Sequence, residues 1–123
     1  MVKRLFVSVV DDDESVRESL PDLLKELGFA VQAFSSATEF LGSDYVDQTK
    51  CLILDIAMPG MSGPDLQREL TLRRYDIPVV FITALADEAI RPRVLEQGAA
   101  ECLFKPFSDT ALLRALNTAL RMN

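Results

Sequence analysis

The chain of 123 residues contains no histidine and no tryptophan, and only two cysteines, two tyrosines and five glycines. Without imidazole, a zinc or other transition-metal site would lack its usual partner ligand, and Cys51 and Cys102 fit no CxxC or related metal spacing. Both thiols are therefore read as buried side chains in a reducing cytosol. Long apolar runs are missing as well. Leu5 to Val10 stops at three aspartates, too short for the apolar part of a signal peptide despite the basic start Met1-Val-Lys-Arg, and no later stretch approaches a membrane span. A cytoplasmic protein without membrane contact is expected. Positive charge is in deficit: 13 Lys and Arg face 19 Asp and Glu, and the net charge of -6 repels nucleic acid, so direct DNA binding is not expected.

What is present is an ordinary globular composition, 49% hydrophobic and 26% charged, in a length that holds one core. Three short runs, LFVSVV (5–10), CLIL (51–54) and VVFI (79–82), are apolar on both side-chain parities, the pattern of parallel strands covered on both faces. FAVQAF (29–34) is mixed and ECLF (101–104) is short and ends at Lys105-Pro106, so both suit positions nearer the sheet edges. Helical patterns fill the intervals. Residues 14–27 place Val16, Leu20, Leu23, Leu24 and Leu27 on one stripe closed by Gly28, with Pro21 predicting a bend or a lost backbone bond. A short helix follows over 36–41 with Ser35 or Ser36 as cap, and another over 64–74 with Ser62 or Gly63 at its start. A fourth falls between Asp87 and Gly98, and the last runs over 109–121 with Leu112, Leu113, Leu116 and Leu120 inward. Five β-α units with short connections predict a doubly wound α/β fold, whose functional residues gather at the carboxyl ends of the strands.

Each inner strand delivers a polar group to that edge: Asp11, Asp12 and Asp13 after the first, Asp55 at the end of the third, Thr83 after the fourth and Lys105 after the fifth. Taken singly, an acid before a helix is ordinarily a cap, a strand-end threonine a turn hydroxyl, and a lysine before proline a solvated charge. Asp55 resists that treatment. A carboxylate abutting CLIL needs a cation or hydrogen bonds to stay ionised. Carboxylates, a hydroxyl and an ammonium converging at a switch point suit Mg2+, which binds through one or two carboxylates and completes its sphere with water and phosphate oxygens. The chemistry such a set supports is attack of a carboxylate on a phosphoryl group, with the cation and the lysine neutralising the phosphoryl oxygens.

With VVDDDESVRESL, LILDIAMPGMSG, VVFITALAD and CLFKPF in this order, the chain resembles the response-regulator receiver domain of two-component signalling, nearest the FixJ-like branch. The resemblance implies a five-stranded parallel sheet of (βα)5 flavodoxin-like topology, strand order 2-1-3-4-5, with residues 1–123 forming one receiver domain and no output domain present. It implies that Asp55 is the phosphoacceptor, supplied by a sensor histidine kinase. Arg17 sets the register of the acidic run, so that Asp12 would ligate Mg2+ directly and Asp11 through water, with the main-chain carbonyl of Ala57 a further ligand and Asp13 outside the site. Thr83 would donate to the phosphoryl group, and Lys105 would pair with a carboxylate and a phosphoryl oxygen across a cis bond to Pro106. A downstream effector or output domain and a homodimer on phosphorylation are the implied partners.

Three departures accompany the resemblance. The switch pair is Thr83 and Cys102, where the family usually carries an aromatic ring at the second position; Phe104 shares its strand parity. Pro92 falls where the fourth helix should be under way, and predicts irregularity over 87–91 unless it sits in the first turn. No helix-turn-helix follows the fifth helix, which fits a stand-alone receiver or part of a longer regulator. Ala57 and Leu85 offer no group to position an attacking water, so slow self-hydrolysis is expected. The alternatives are a phosphate sink, an interaction module working without phosphorylation, and a Mg2+-dependent phosphohydrolase, the last expected to carry DxD after the first strand and a substrate-covering insertion.

Overall fold

Five parallel strands, β1 (Phe6–Val10), β2 (Ala30–Phe34), β3 (Cys51–Asp55), β4 (Val79–Thr83) and β5 (Glu101–Phe104), pair in the order β2-β1-β3-β4-β5. The order is the one expected, with the mixed run and the short run at the two edges. The computed structural model describes residues 4–85 and 87–121; the basic start at 1–3 and Ala86 of VVFITALAD lie outside the described residues. Every residue of β3 and β4 is buried, which is why both parities of those runs had to be apolar.

The helices are α1 (Glu14–Glu26), α2 (Ala37–Leu41), α3 (Gly63–Leu72), α4 (Ile90–Glu96) and α5 (Asp109–Arg121). Two core layers flank the sheet. On one face Val7, Val9, Ile53, Val80 and Ile82 meet Leu20 and Leu24 of α1 and Leu112 and Leu116 of α5. On the other, Leu52, Leu54, Phe81 and Cys102 meet Phe40, Leu66, Leu70 and Val94 from α2, α3 and α4. Alternate side chains of each strand feed opposite layers.

Local chemistry sets the helix starts. Asp13 caps α1, accepting from the Ser15 amide at 2.9 Å, and Ser36 caps α2, accepting from the Glu39 amide at 3.0 Å. Ser62 and Asp65 form a reciprocal capping box on α3, with Pro64 following where its missing N–H costs nothing. Pro92 is the third residue of α4, inside the first turn, where an amide has no intrahelical acceptor; the proline is accommodated by a late helix start. Ahead of it the Asp87 carbonyl accepts from Ile90 N at 3.1 Å and its carboxylate from Ala89 N at 3.0 Å, closing an irregular turn.

One local reading changes, on α5, and two details fill in. Leu113 is exposed and Ala115 and Ala119 are buried, because the inward face of α5 is centred on Leu112, Ala115, Leu116 and Ala119 and Leu113 lies about 100° round from it. α1 runs through Pro21 as one continuous helix, the missing N–H leaving a single donor fewer rather than ending it. A 3-10 turn at Val46–Gln48 precedes β3, and behind it the Thr49 hydroxyl meets Ser8 of β1 at 2.6 Å within the core.

Gly63 is where the fold presses on the end of β3. A Cβ there would lie 2.3 Å from the Asp55 carbonyl oxygen and 2.9 Å from the Phe81 ring, whereas at Gly42 the nearest atom would be 3.5 Å away. Gly63→Ala is expected to destabilise the fold by about 1–3 kcal/mol through overpacking against backbone, and Gly42→Ala by less than about 0.5 kcal/mol. Urea unfolding of the two variants tests this, and equal midpoints would rule out the close approach as a constraint.

Candidate functional site

Strand register alone brings the polar ends together. Val10 pairs with Leu54, so the next residues, Asp11 and Asp55, emerge side by side from β1 and β3. Asp55 pairs with Ile82 and Thr83 with Phe104, so Thr83 stands beside the acid and Lys105 leaves the sheet one step further on. The Lys105 amide donates to the Thr83 carbonyl at 2.8 Å, and the Lys105-Pro106 bond is cis, as expected.

Asp11 is wholly buried. Its Oδ1 accepts from the Asp13 amide at 2.9 Å, its Oδ2 from Lys105 Nζ at 2.8 Å, and its main-chain carbonyl from the Arg17 guanidinium at 2.9 Å. Asp12 is exposed, and Asp55 is 6% exposed. One carboxylate oxygen from each of Asp11, Asp12 and Asp55 lies within 4.8 Å of the others, the cluster read from the sequence as a cation site. Asp13 stands apart from it, its carboxyl held below the usual range by hydrogen bonds from Ser15 at the start of α1. Ala57 is exposed in the loop after β3, and Thr83 Oγ1 accepts from the Leu85 amide at 3.0 Å, which leaves its hydroxyl hydrogen for another acceptor.

The electrostatics follow from burial. The Asp55 carboxyl is pushed up to about 7, first by loss of solvent and then by the negative charge of Asp11, with Lys105 pulling the other way. Burial works against the Lys105 ammonium, but the hydrogen bond and charge of Asp11, with Asp55 and Asp13 behind it, outweigh that and raise its pKa. An all-oxygen donor set in which one carboxyl is driven toward its protonated form fits a hard divalent cation, since added positive charge relieves the repulsion that burial creates.

Cys102 is buried in the layer containing Phe81, Val94 and Ala99, and both cysteines are unpaired. Burial raises both thiols, Cys51 to about 12, which makes them poor nucleophiles. Phe104 is half-buried and borders an open hollow lined by Ala84, Leu85, Glu88 and Lys105. Two residues that shape the site were not assigned such roles from the sequence. Gly63 there is only a candidate helix start, and Arg17 only a register mark; a glycine directly before proline at a helix start was the available signal for the first, and none existed for the second.

A doubly wound sheet with this acidic edge defines a class of domain built to handle phosphate with a divalent cation. Comparison with known proteins narrows it. Residues 7–117 match the response regulator receiver domain. Nodulation protein W of Bradyrhizobium diazoefficiens is 44% identical over 94% of this chain and 51% of its own length. The structure of response regulator StyR matches with a TM-score of 0.88 and 47% identity, covering 98% of this chain and 61% of that one. FixJ-N matches with a TM-score of 0.87 and 34% identity, covering 99% of this chain and 98% of that one. The chain belongs to the response regulator receiver domain family, the phosphorylation-activated switches of two-component signalling. It spans about half the length of the curated relatives it matches. No helix among the described residues is long and apolar enough to cross a membrane.

Asp55 gives the fold a definite pH dependence. The unfolded chain releases this proton near the ordinary 3.8 and the folded chain near 7, so between them the native state holds the extra proton and loses stability as pH rises. In chelated buffer, the stability gained by Asp55→Asn over the parent should widen between pH 5 and pH 8 by about 1–2 kcal/mol, allowing for solvent screening at the open edge. Parallel urea-unfolding profiles for the two proteins would contradict it.

Proposed function

We propose that Asp55 accepts a phosphoryl group from the phosphohistidine of a sensor histidine kinase, and that the aspartyl phosphate alters a surface read by a downstream effector or output domain. The observation that carries this is the convergence of a buried carboxyl, two further acids, a threonine hydroxyl and a lysine at one sheet edge, in a receiver-domain chain.

An Asp55 carboxylate oxygen attacks phosphorus, the phosphorus–nitrogen bond breaks, and the imidazole, already protonated on its other ring nitrogen, takes the electron pair and leaves as neutral imidazole. The attacking group must be ionised, and burial beside Asp11 opposes that. A Mg2+ ion held by Asp11, Asp12, Asp55 and the Ala57 carbonyl would supply the positive charge that ionises the acceptor and neutralises phosphoryl oxygens. Lys105, kept protonated and aimed by Asp11, has further N–H donors for a phosphoryl oxygen. The Thr83 hydroxyl donates to another, and its bond from the Leu85 amide ties that event to the loop leading to α4.

The acceptor stands on the third strand, with the short β3–α3 loop beside it, which supports a switch that catalyses only its own phosphorylation and dephosphorylation over a phosphohydrolase. Transcriptional output and homodimerisation on phosphorylation belong to the same reading. Incubation with Mg2+ and acetyl phosphate should add one phosphoryl group to the parent by intact mass and none to Asp55→Asn or to the parent in chelator. The adduct should outlast seconds, since Ala57 and Leu85 carry no group to orient water. No adduct in any sample would overturn the assignment.

A further inference from the structure

Arg17 is the fourth residue of α1, in a first turn where a cation opposes the helix dipole, and its side chain is half-buried. A solvent-facing side chain would avoid the burial and weaken the dipole cost. Instead its guanidinium donates to the Asp11 carbonyl at 2.9 Å. That oxygen belongs to the planar peptide joining Asp11 to Asp12, so fixing it fixes the direction from which Asp12 leaves the chain. Asp11 is already held at its amide by the Phe34 carbonyl at 3.1 Å and at both carboxylate oxygens by Asp13 N and Lys105 Nζ. Asp12 is exposed, and the peptide that carries it sets the direction from which its side chain meets the Asp55 carboxyl.

We infer that Arg17 is a positioning residue for the divalent cation: by holding the Asp11–Asp12 peptide it sets the affinity of the acidic trio. This rests on the cation reading proposed above. Two effects of the side chain oppose each other. Its charge repels a dication, so charge alone would make binding tighten when Arg17 is removed; its hydrogen bond orders a ligand, so positioning makes binding weaken. The sign of the change therefore separates them.

The test is Mg2+ titration of the whole chain, followed by calorimetry and amide NMR shifts, for the parent, Arg17→Met and Arg17→Lys, with melting temperatures in chelator. Methionine keeps the stem's packing and loses donor and charge; lysine restores both in part. Methionine should weaken Mg2+ binding roughly tenfold, as loss of an outer-shell partner does, and lysine should recover part of that. Labelling by acetyl phosphate should then slow at low Mg2+ and match the parent at saturation. Unchanged or tighter binding in Arg17→Met overturns the inference, as does a lysine no better than methionine. A lowered melting temperature with unaltered affinity also overturns it, reducing Arg17 to support of α1. A parent that binds no Mg2+ removes the cation reading itself, which distinguishes the two failures.

Discussion

Lys105 Nζ reaches Asp11 Oδ2 at 2.8 Å from the far side of the sheet, joining the end of β5 to the end of β1 across β3 and β4. Strands lie about 4.8 Å apart, so the two ends are separated by roughly 14 Å in the plane of the sheet, and the lysine stem with the turn after β5 must close that distance. The pair is buried on the Asp11 side, where an isolated carboxylate is costly; breaking such a pair typically costs about 3–5 kcal/mol because the remaining charge stays desolvated. Three carboxylates can share this edge because one of them has a fixed counter-charge. Among the described residues Asp55 has no counter-charge of equal closeness, so the burial and the Asp11 charge that raise its carboxyl are only partly offset by Lys105.

The same inequality divides the acidic run after β1. Asp11 is buried with one hydrogen bond to each carboxylate oxygen, Asp12 is the exposed member of the cluster, and Asp13 turns to the start of α1. One stretch of like charge thus serves a lysine, a cation site and a helix dipole in succession. The middle position is the exposed one, next to the Asp55 carboxyl.

Much of this was legible in the sequence because strands buried on both faces leave a local record. CLIL and VVFI had to be apolar on both parities, and the polar residue ending each run then had to lie at the carboxyl edge. The helix starts were legible for a like reason, since Ser62 and Asp13 act on backbone amides three and two residues away. What could not be read depends on rotation or on distant partners. Leu113 and Ala115 exchange places through the rotation of α5, which leucine spacing alone leaves loose by a residue. Thr49, behind the 3-10 turn at Val46–Gln48, meets a hydroxyl 41 residues away, and Arg17's acceptor is a backbone oxygen that no side-chain pattern can advertise.

A lightly held helix lies next to the site. α4 has seven residues, its Ala89 cap supplies no side-chain hydrogen bond, and Val94 is its one buried residue. Its tether to the sheet is Arg91, which donates twice to Glu101 Oε1 at 3.1 and 2.8 Å while the same oxygen accepts from the Cys102 amide. A half-exposed pair of this kind contributes up to about 1 kcal/mol, far below the burial that holds α1 and α5. Pro92 lies in the first turn of this short helix, and the loop carrying Leu85 joins Thr83 to it. Elements that move are drawn from the weakly held end of a structure. Position 102 carries a small, buried thiol rather than a ring, so what joins this end of β5 to α4 in polar terms is the half-exposed Arg91–Glu101 pair.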